Sequence, residues 1–239
     1  MWDFVEGEVL AFDKPLHWTS FDLVAKVRYN LCRVLGQKKL KVGHSGTLDP
    51  LATGVVIICT GRKTKLIDQL QADVKEYVAT LQLGATTPSY DLEKAVDATY
   101  PTAHITRELI DKTIPLFMGE QWQTPPAFSA IQINGKRAYE FARKGEEVEL
   151  KPRLLVIDEI EVLSFDEQTM QLTIRVVCSK GTYIRALARD IGERLESGAH
   201  LIALRRTRVG NTRVEDCMTI EQFLEKLQTE SCRLTAETL

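Results

Sequence analysis

The sequence lacks the features that mark membrane, secreted and metal-binding proteins. Its 239 residues contain no apolar run near the roughly 20 residues that a membrane-spanning helix needs. The first residues carry neither the basic start nor the apolar core of a signal peptide. Five cysteines occur without a C-x-x-C spacing and four histidines without a pair at ligand spacing, so neither a zinc site nor a disulfide framework is indicated. We therefore expect a cytoplasmic, reduced protein without a membrane partner or a bound metal.

An excess of positive charge is also missing. The net charge is −2 and the isoelectric point about 6.1, whereas a nucleic-acid-binding domain is usually basic. The charge is uneven, however, because residues 33–65 hold seven basic residues and one acid, and residues 201–213 hold four arginines and no acid. Residues 214–239 carry six acids and two bases. A basic run is often only a solvated face, but two such runs near a candidate site also suit a phosphate-binding surface.

The most informative segment is residues 43–54, Gly-His-Ser-Gly-Thr-Leu-Asp-Pro-Leu-Ala-Thr-Gly, which four aliphatic residues follow. Glycine and proline favour turns, and the aliphatic run predicts a buried strand. Asp49 is therefore expected on a shaped loop that leads into a core strand, a common way to hold a catalytic group at the edge of a cleft. An Asp-Pro pair by itself would more often only cap a turn, so the prediction depends on the whole segment.

Hydrophobic periodicity predicts an α+β fold without internal repeats. Strands are expected over residues 9–12, 55–59, 77–83, 154–164 and 172–178. Helices are expected over residues 21–35 with Ser20 as N-cap, over 64–70, 106–117 and 138–144, after Thr182, and in a last short helix opened by a capping box at Thr219. Residues 84–105 and 119–137 are expected to be irregular or loop.

Segment 43–54 closely resembles the catalytic motif of the TruB family, the bacterial tRNA pseudouridine-55 synthases. Four further blocks match in family order, namely residues 13–20, 75–84, 125–140 and 179–207. The resemblance implies a mixed, largely antiparallel sheet flanked by helices. It also implies one catalytic domain over residues 1–239, with an inserted RNA-gripping subdomain at about residues 84–150 and without the C-terminal PUA domain of many relatives.

By this resemblance the protein isomerises uridine to pseudouridine at position 55 in the T arm of tRNA, as a monomer and without a cofactor or metal. The reaction needs an ionised carboxylate near C1′ of the ribose or C6 of the base, and Asp49 matches that residue. Whether Asp49 is the nucleophile or removes a proton from the sugar stays open. The uridine must also leave the base stack, which costs roughly a few kcal/mol.

Other site residues follow from the resemblance, position by position. Arg185 matches the arginine that forms an ion pair with the catalytic aspartate, and Tyr77 matches the tyrosine that stacks on the flipped base. His44 matches the histidine that fills the vacated space in the RNA. Tyr183 and Leu204 match positions that line the uracil pocket. Without the resemblance, Arg185 would be expected as an exposed helix residue, and Tyr77 and Leu204 as core residues.

The opening block contains Lys14, which either contacts phosphate or supports the loop. Three positions depart from the family pattern. His17 stands where a glycine is usual in a tight turn, Pro88 lies in a segment that has lost an acid, and Phe128 replaces a tyrosine. Asp91 does match a later acid of the family.

Two other functions remain possible from the sequence. One is a non-catalytic tRNA-binding or tRNA-folding factor on the same scaffold, which loss of Asp49 or Arg185 would favour, but both residues are present. The other is a pseudouridine synthase for a different RNA. Related families of that kind carry arginine before the Leu-Asp pair, where this chain has Thr47.

Overall fold

A computed structural model describes residues 2–133, 135–146 and 148–236 and contains both strands and helices. The strands are β1 (Val9–Lys14), β2 (Val42–His44), β3 (Ala52–Thr60), β4 (Lys75–Leu83), β5 (Ala85–Thr86), β6 (Ala98–Thr99), β7 (Gly119–Gln123), β8 (Gln132–Ile133), β9 (Lys136–Arg137), β10 (Arg153–Asp166), β11 (Gln171–Cys178), β12 (Ala199–Val209) and β13 (Thr212–Arg213). The α-helices are α1 (Ser20–Val34), α2 (Ile67–Ala72), α3 (Arg107–Thr113), α4 (Ala138–Ala142), α5 (Ile184–Arg194) and α6 (Ile220–Ala236).

Two compact units can be distinguished, residues 1–75 with 205–239 and residues 76–204. In the first unit, β3 pairs antiparallel with β1, from Val9 opposite Cys59 to Lys14 opposite Gly54, and β2 also pairs antiparallel with β3. The strand order continues from β3 to β12. Every residue of β3 except Thr53 is buried, so this strand forms the centre of the unit's core.

Two amphipathic helices complete the core of the first unit. Helix α1 buries Leu23, Val24, Val27 and Leu31 and packs against β2. Helix α6 packs against α1 and β1, and its Phe223 ring lies 5.4 Å from the ring of Phe12. Both rings are fully buried, and each such burial contributes about 2 kcal/mol.

The second unit contains the strand order β12-β4-β11-β10-β7, in which β12 contributes its first residues. The long strands β10 and β11 pair antiparallel, as do β10 and β7. Strand β4 alternates between buried and half-buried residues, as its sequence predicts. Helix α5 covers this unit with a face that buries Leu187, Ala188 and Ile191. A parallel bridge between Phe12 and Met218 in the first unit adds to these antiparallel pairs. The predicted mixed, largely antiparallel sheet flanked by helices is therefore confirmed.

The structure differs from the sequence prediction at several elements. Thr19, not Ser20, caps α1 through a reciprocal capping box with Asp22, and Tyr183 rather than Thr182 precedes α5. The capping box at Thr219 is present, but it opens a helix of 17 residues rather than a short one. Eight of the described strands were not predicted: β2, β5, β6, β7, β8, β9, β12 and β13. In β12, arginines interrupt the apolar pattern. Along the residues the structure describes, no helix is long and apolar enough to cross a membrane.

Candidate functional site

Asp49 lies on loop 45–51, which connects β2 to β3. The amide of Ser45 donates to the carbonyl of Ile57 at 2.9 Å, and the amide of Ala52 donates to the carbonyl of Asp49 at 3.0 Å, so both ends of the loop are closed onto β3. Asp49 is half-buried, whereas Pro50 beside it is exposed. The shaped loop and the buried strand predicted from segment 43–54 are both present.

The first residue of α1 and the segment before this helix fix the backbone on either side of Asp49. The hydroxyl of Ser20 accepts a hydrogen bond from the Leu48 amide at 2.8 Å and lies 3.2 Å from the Leu48 carbonyl, to which it donates. The amide of His17 donates to the Pro50 carbonyl at 2.7 Å. Because Thr19 takes the N-cap role, the buried Ser20 hydroxyl is free to hold the loop.

A buried arginine on β12 holds the same loop from another direction. Arg206 is 2% exposed, and its guanidinium donates to the carbonyls of Val55 at 2.7 Å, Thr47 at 3.3 Å and Gly46 at 3.3 Å. Gly54 makes this approach possible, because a Cβ atom there would lie 2.1 Å from the Arg206 carbonyl oxygen. Its φ of +109° also suits only glycine. Arg206 therefore supports the loop and is not available to a phosphate.

Lys14 at the end of β1 is also buried within the first unit. Its ammonium donates to the carbonyls of Pro15 at 2.8 Å and Trp18 at 2.6 Å. Burial lowers the pKa of Lys14 from 10.5 to about 8, the negative charge of Asp49 opposes this shift, and the positive charge of Arg206 adds to it. A fully buried ammonium with two carbonyl partners favours the loop-supporting role over a phosphate contact.

His44 ends β2 and is half-buried. Burial lowers the pKa of His44 below its usual 6.5, a backbone hydrogen bond at Gly46 opposes the shift, and the nearby Arg206 guanidinium strengthens it. The imidazole is therefore neutral at neutral pH, close in sequence to Asp49 and on the same hairpin.

Arg185 lies in the first turn of α5 in the second unit. It is 6% exposed, which excludes the alternative of a solvent-exposed helix arginine. Its guanidinium donates to the carbonyls of Phe128 at 2.9 Å and Ser89 at 3.3 Å, and its Nε lies 3.7 Å from a carboxylate oxygen of Asp91. Asp91 is itself 7% exposed, so this is a desolvated pair in which the planar group has a defined orientation.

Two of the departures from the family pattern lie around Arg185. Pro88 is exposed while Thr87 and Ser89 on either side are buried, so the acid that this chain lacks would have pointed toward solvent. Phe128 contacts Arg185 through its carbonyl, which does not depend on the side chain, and the Lys94 ammonium lies 5.5 Å from the Phe128 ring. The hydrogen bonds of Arg185 to the Ser89 and Phe128 carbonyls depend on the backbone and not on the side chains at these positions.

The remaining predicted residues also belong to the second unit. Tyr77 is 8% exposed on the buried face of β4, and Leu204 is half-buried on β12. Tyr183 precedes α5 and is held by Gln123, whose side chain accepts from the Tyr183 amide at 2.9 Å and donates to its carbonyl at 3.2 Å. Gln123 is 4% exposed and carries no sequence signal that would have identified this role.

The structure thus divides the predicted residues between the two units: Lys14, His44 and Asp49 in the first, and Tyr77, Tyr183, Arg185 and Leu204 in the second. Sequence reasoning missed Ser20 and Arg206 as anchors of the Asp49 loop. The signal for Arg206 was the basic run 201–213, which was interpreted as a surface.

Comparison with family models gives two matches. Residues 33–184 match the TruB family pseudouridylate synthase N-terminal domain, and residues 185–237 match the tRNA pseudouridylate synthase B C-terminal domain. Proteins named tRNA pseudouridine synthase B are similar over nearly the full chain. The relative from Phocaeicola vulgatus is 65% identical over 94% of this chain and 95% of its own length, and that from Flavobacterium johnsoniae is 51% identical over 95% and 98%.

Solved structures give the same family of folds. The chain superposes on a Cbf5-Nop10-Gar1 complex with a TM-score of 0.68 at 28% identity, covering 93% of this chain and 54% of the other. An H/ACA RNP bound to a substrate RNA containing 2′-deoxyuridine gives a TM-score of 0.66 at 27% identity, with coverage of 93% and 53%. The chain therefore spans about half the length of these two solved chains.

Proposed function

The chain belongs to the TruB family of pseudouridylate synthases, and from this premise we propose that it converts uridine 55 in the T arm of tRNA to pseudouridine. Relatives that match nearly the whole chain are named tRNA pseudouridine synthase B, which supports tRNA as the substrate. The observation that carries the proposal is the fixed Asp49 loop, which Ser20, Arg206 and the His17 amide hold in one conformation.

In the proposed reaction the bond between C1′ and N1 of the uridine breaks, and a bond between C1′ and C5 forms. The proton on C5 leaves and N1 gains one, so the product is an isomer of the substrate. Asp49 attacks as a nucleophile or removes a proton from the sugar, and either role needs an ionised carboxylate in a defined place. The buried ammonium of Lys14, in the same unit, lies close enough to interact electrostatically with the Asp49 carboxylate.

We assign to His44 the space that the uridine leaves when it flips out of the T arm. Its imidazole is neutral at neutral pH, because burial lowers its pKa. A neutral ring enters a base stack without the desolvation cost of a charged side chain, and it can compensate part of the unstacking energy.

The second unit supplies the other proposed roles. Arg185 pairs with the Asp49 carboxylate, and its orientation by the Phe128 carbonyl and Asp91 supports this, since a planar guanidinium suits a two-oxygen partner. Tyr77 stacks on the base, while Tyr183 and Leu204 line the uracil site. We further propose that the segment of about residues 84–150 grips the RNA and that the enzyme acts as a monomer.

The decisive experiment measures tritium release from tRNA labelled at C5 of uridine. Asp49→Asn keeps the shape of the side chain but removes its charge, so we expect no measurable release and tRNA affinity within about three-fold of wild type, because phosphate contacts dominate affinity. Asp68→Asn, which changes an exposed acid on α2, is the matched control and should react like wild type. Release by Asp49→Asn near the wild-type rate would refute the proposal.

A further inference from the structure

His17 adopts a left-handed backbone conformation, with φ at +66°. This conformation is free of strain for glycine, and the TruB pattern usually has glycine at this position. A residue with a Cβ atom is strained there, although histidine tolerates the region better than most residues. The backbone therefore explains why a turn is present, but it does not explain why the chain uses histidine.

Backbone contacts fix the turn at His17 and connect it to the Asp49 loop. The buried Lys14 ammonium donates to the carbonyls of Pro15 and Trp18, which fixes the backbone on either side of His17. The His17 amide then donates to the Pro50 carbonyl at 2.7 Å, directly after Asp49 in the chain. None of these contacts uses the His17 side chain, and glycine would make the same amide hydrogen bond to Pro50.

The side chain of His17 lies outside the core. It is exposed, and within the described residues it has neither a hydrogen bond nor an ion pair. Its neighbour Leu16 is also 47% exposed, so the two side chains project to solvent from a rigid turn. The exposed imidazole therefore belongs to a residue whose amide is bonded to the Pro50 carbonyl, directly after Asp49 in the chain.

We propose that the His17 imidazole is a substrate contact that donates a hydrogen bond to an oxygen of the RNA strand beside the uridine at Asp49. The inference rests on the proposed function, which brings an RNA strand to this loop. Phosphate and sugar oxygens flank every nucleotide of such a strand, and contacts of this kind position the substrate without selecting its sequence. Neither the turn nor the core requires the strain that a side chain causes at His17. A contact between the imidazole and the RNA gives this strain a function in binding.

The test compares His17→Gly with Glu196→Gly, because Glu196 is also exposed and left-handed, with φ at +54°. Glycine relieves the strained conformation in both variants, so both should have a Tm at or above the wild-type value. His17→Gly should bind a T-arm hairpin about five-fold more weakly, the effect of one lost hydrogen bond, and should lose as much in single-turnover rate at subsaturating RNA. Glu196→Gly should stay within about two-fold of wild type in both measurements.

His17→Asn adds a second measurement. Asparagine also tolerates the left-handed region and keeps a donor on a shorter side chain, so its affinity should lie between those of wild type and His17→Gly. Wild-type affinity and rate in His17→Gly would overturn the inference, as would a Tm well below wild type, which would assign the imidazole to the fold. A wild-type protein that binds the hairpin without isomerising it would instead refute the proposed function, and the affinity comparison would still decide the role of His17.

Discussion

Residues 33–41 and residues 205–213, both in the first unit, each carry four basic side chains and no acid, but the fold places the two sets differently. Residues 33–41 carry four exposed basic side chains, on the end of α1 and on the loop that leads to β2: Arg33, Lys38, Lys39 and Lys41. On β12, Arg206 is buried against the Asp49 loop, and Arg205 forms an ion pair with Asp13 at 2.7 Å.

The difference follows from the element on which each segment lies. A loop after a helix has no neighbouring layer to cover its side chains, so its lysines stay in water and can meet phosphates. Strand β12 adjoins β3 in the sheet order, and its arginine must then satisfy its donors on backbone carbonyls. The first segment is suited to binding phosphates, and the second is suited to holding the Asp49 loop.

Among changes to these two segments, Arg206→Met has the largest expected effect. It leaves the carbonyls of Val55, Thr47 and Gly46 without their guanidinium partner in a buried site, so we expect a loss of about 3 kcal/mol in the free energy of unfolding. Because the Asp49 loop loses its anchor, the single-turnover rate should fall about 100-fold or more at a temperature where the variant is folded. Arg213→Met, an exposed arginine on β13, is the control, and equal results for the two variants in urea unfolding and tritium release would contradict this role.

A triple change of Lys38, Lys39 and Lys41 to glutamine should have an intermediate effect, on binding alone. We expect tRNA affinity to fall about 30-fold at low salt and the slope of log affinity against log salt to decrease by about 2, with unfolding unchanged. The double variant Arg62→Gln/Lys63→Gln removes charges that already face Glu6 and Glu8, at 2.9 and 3.7 Å, and should change affinity less than three-fold, or about 0.6 kcal/mol. Titration of each variant at several salt concentrations tests this, and an unchanged salt slope in the triple variant would exclude the loop as a phosphate site.

Arg205→Ala should have the smallest effect. Its side chain is 41% exposed, so the pair with Asp13 and the hydrogen bond to Thr53 contribute less than about 1 kcal/mol to stability after solvent screening. Because the charge is already neutralised by Asp13, tRNA affinity should change little. A double-mutant cycle with Asp13→Ala in urea unfolding measures the pair energy, and a large loss of tRNA affinity in Arg205→Ala would place this arginine with the exposed lysines instead.

Local patterns determined the elements whose signals lie within a few residues. The aliphatic run after Asp49 predicted β3, strict alternation predicted β4, and the capping box at Thr219 predicted the start of α6. Strand β12 could not be predicted from a local pattern, because its buried Arg206 interrupts the apolar residues. This arginine is tolerated in the core only because carbonyls distant in sequence surround it.

The sequence by itself determined the family, the loop that carries Asp49, the approximate positions of the six described α-helices and those of five of the thirteen described strands, since motifs and hydrophobic periodicity are properties of neighbouring residues. Only the tertiary structure decided which polar side chains hold that loop. Ser20 anchors Leu48 because Thr19 takes the cap, Arg206 is a support rather than a phosphate site, and Lys14 is buried beneath its own turn. Each of these roles depends on partners that are distant in sequence and meet only in the folded protein. Residue types and their spacing therefore do not reveal these partners.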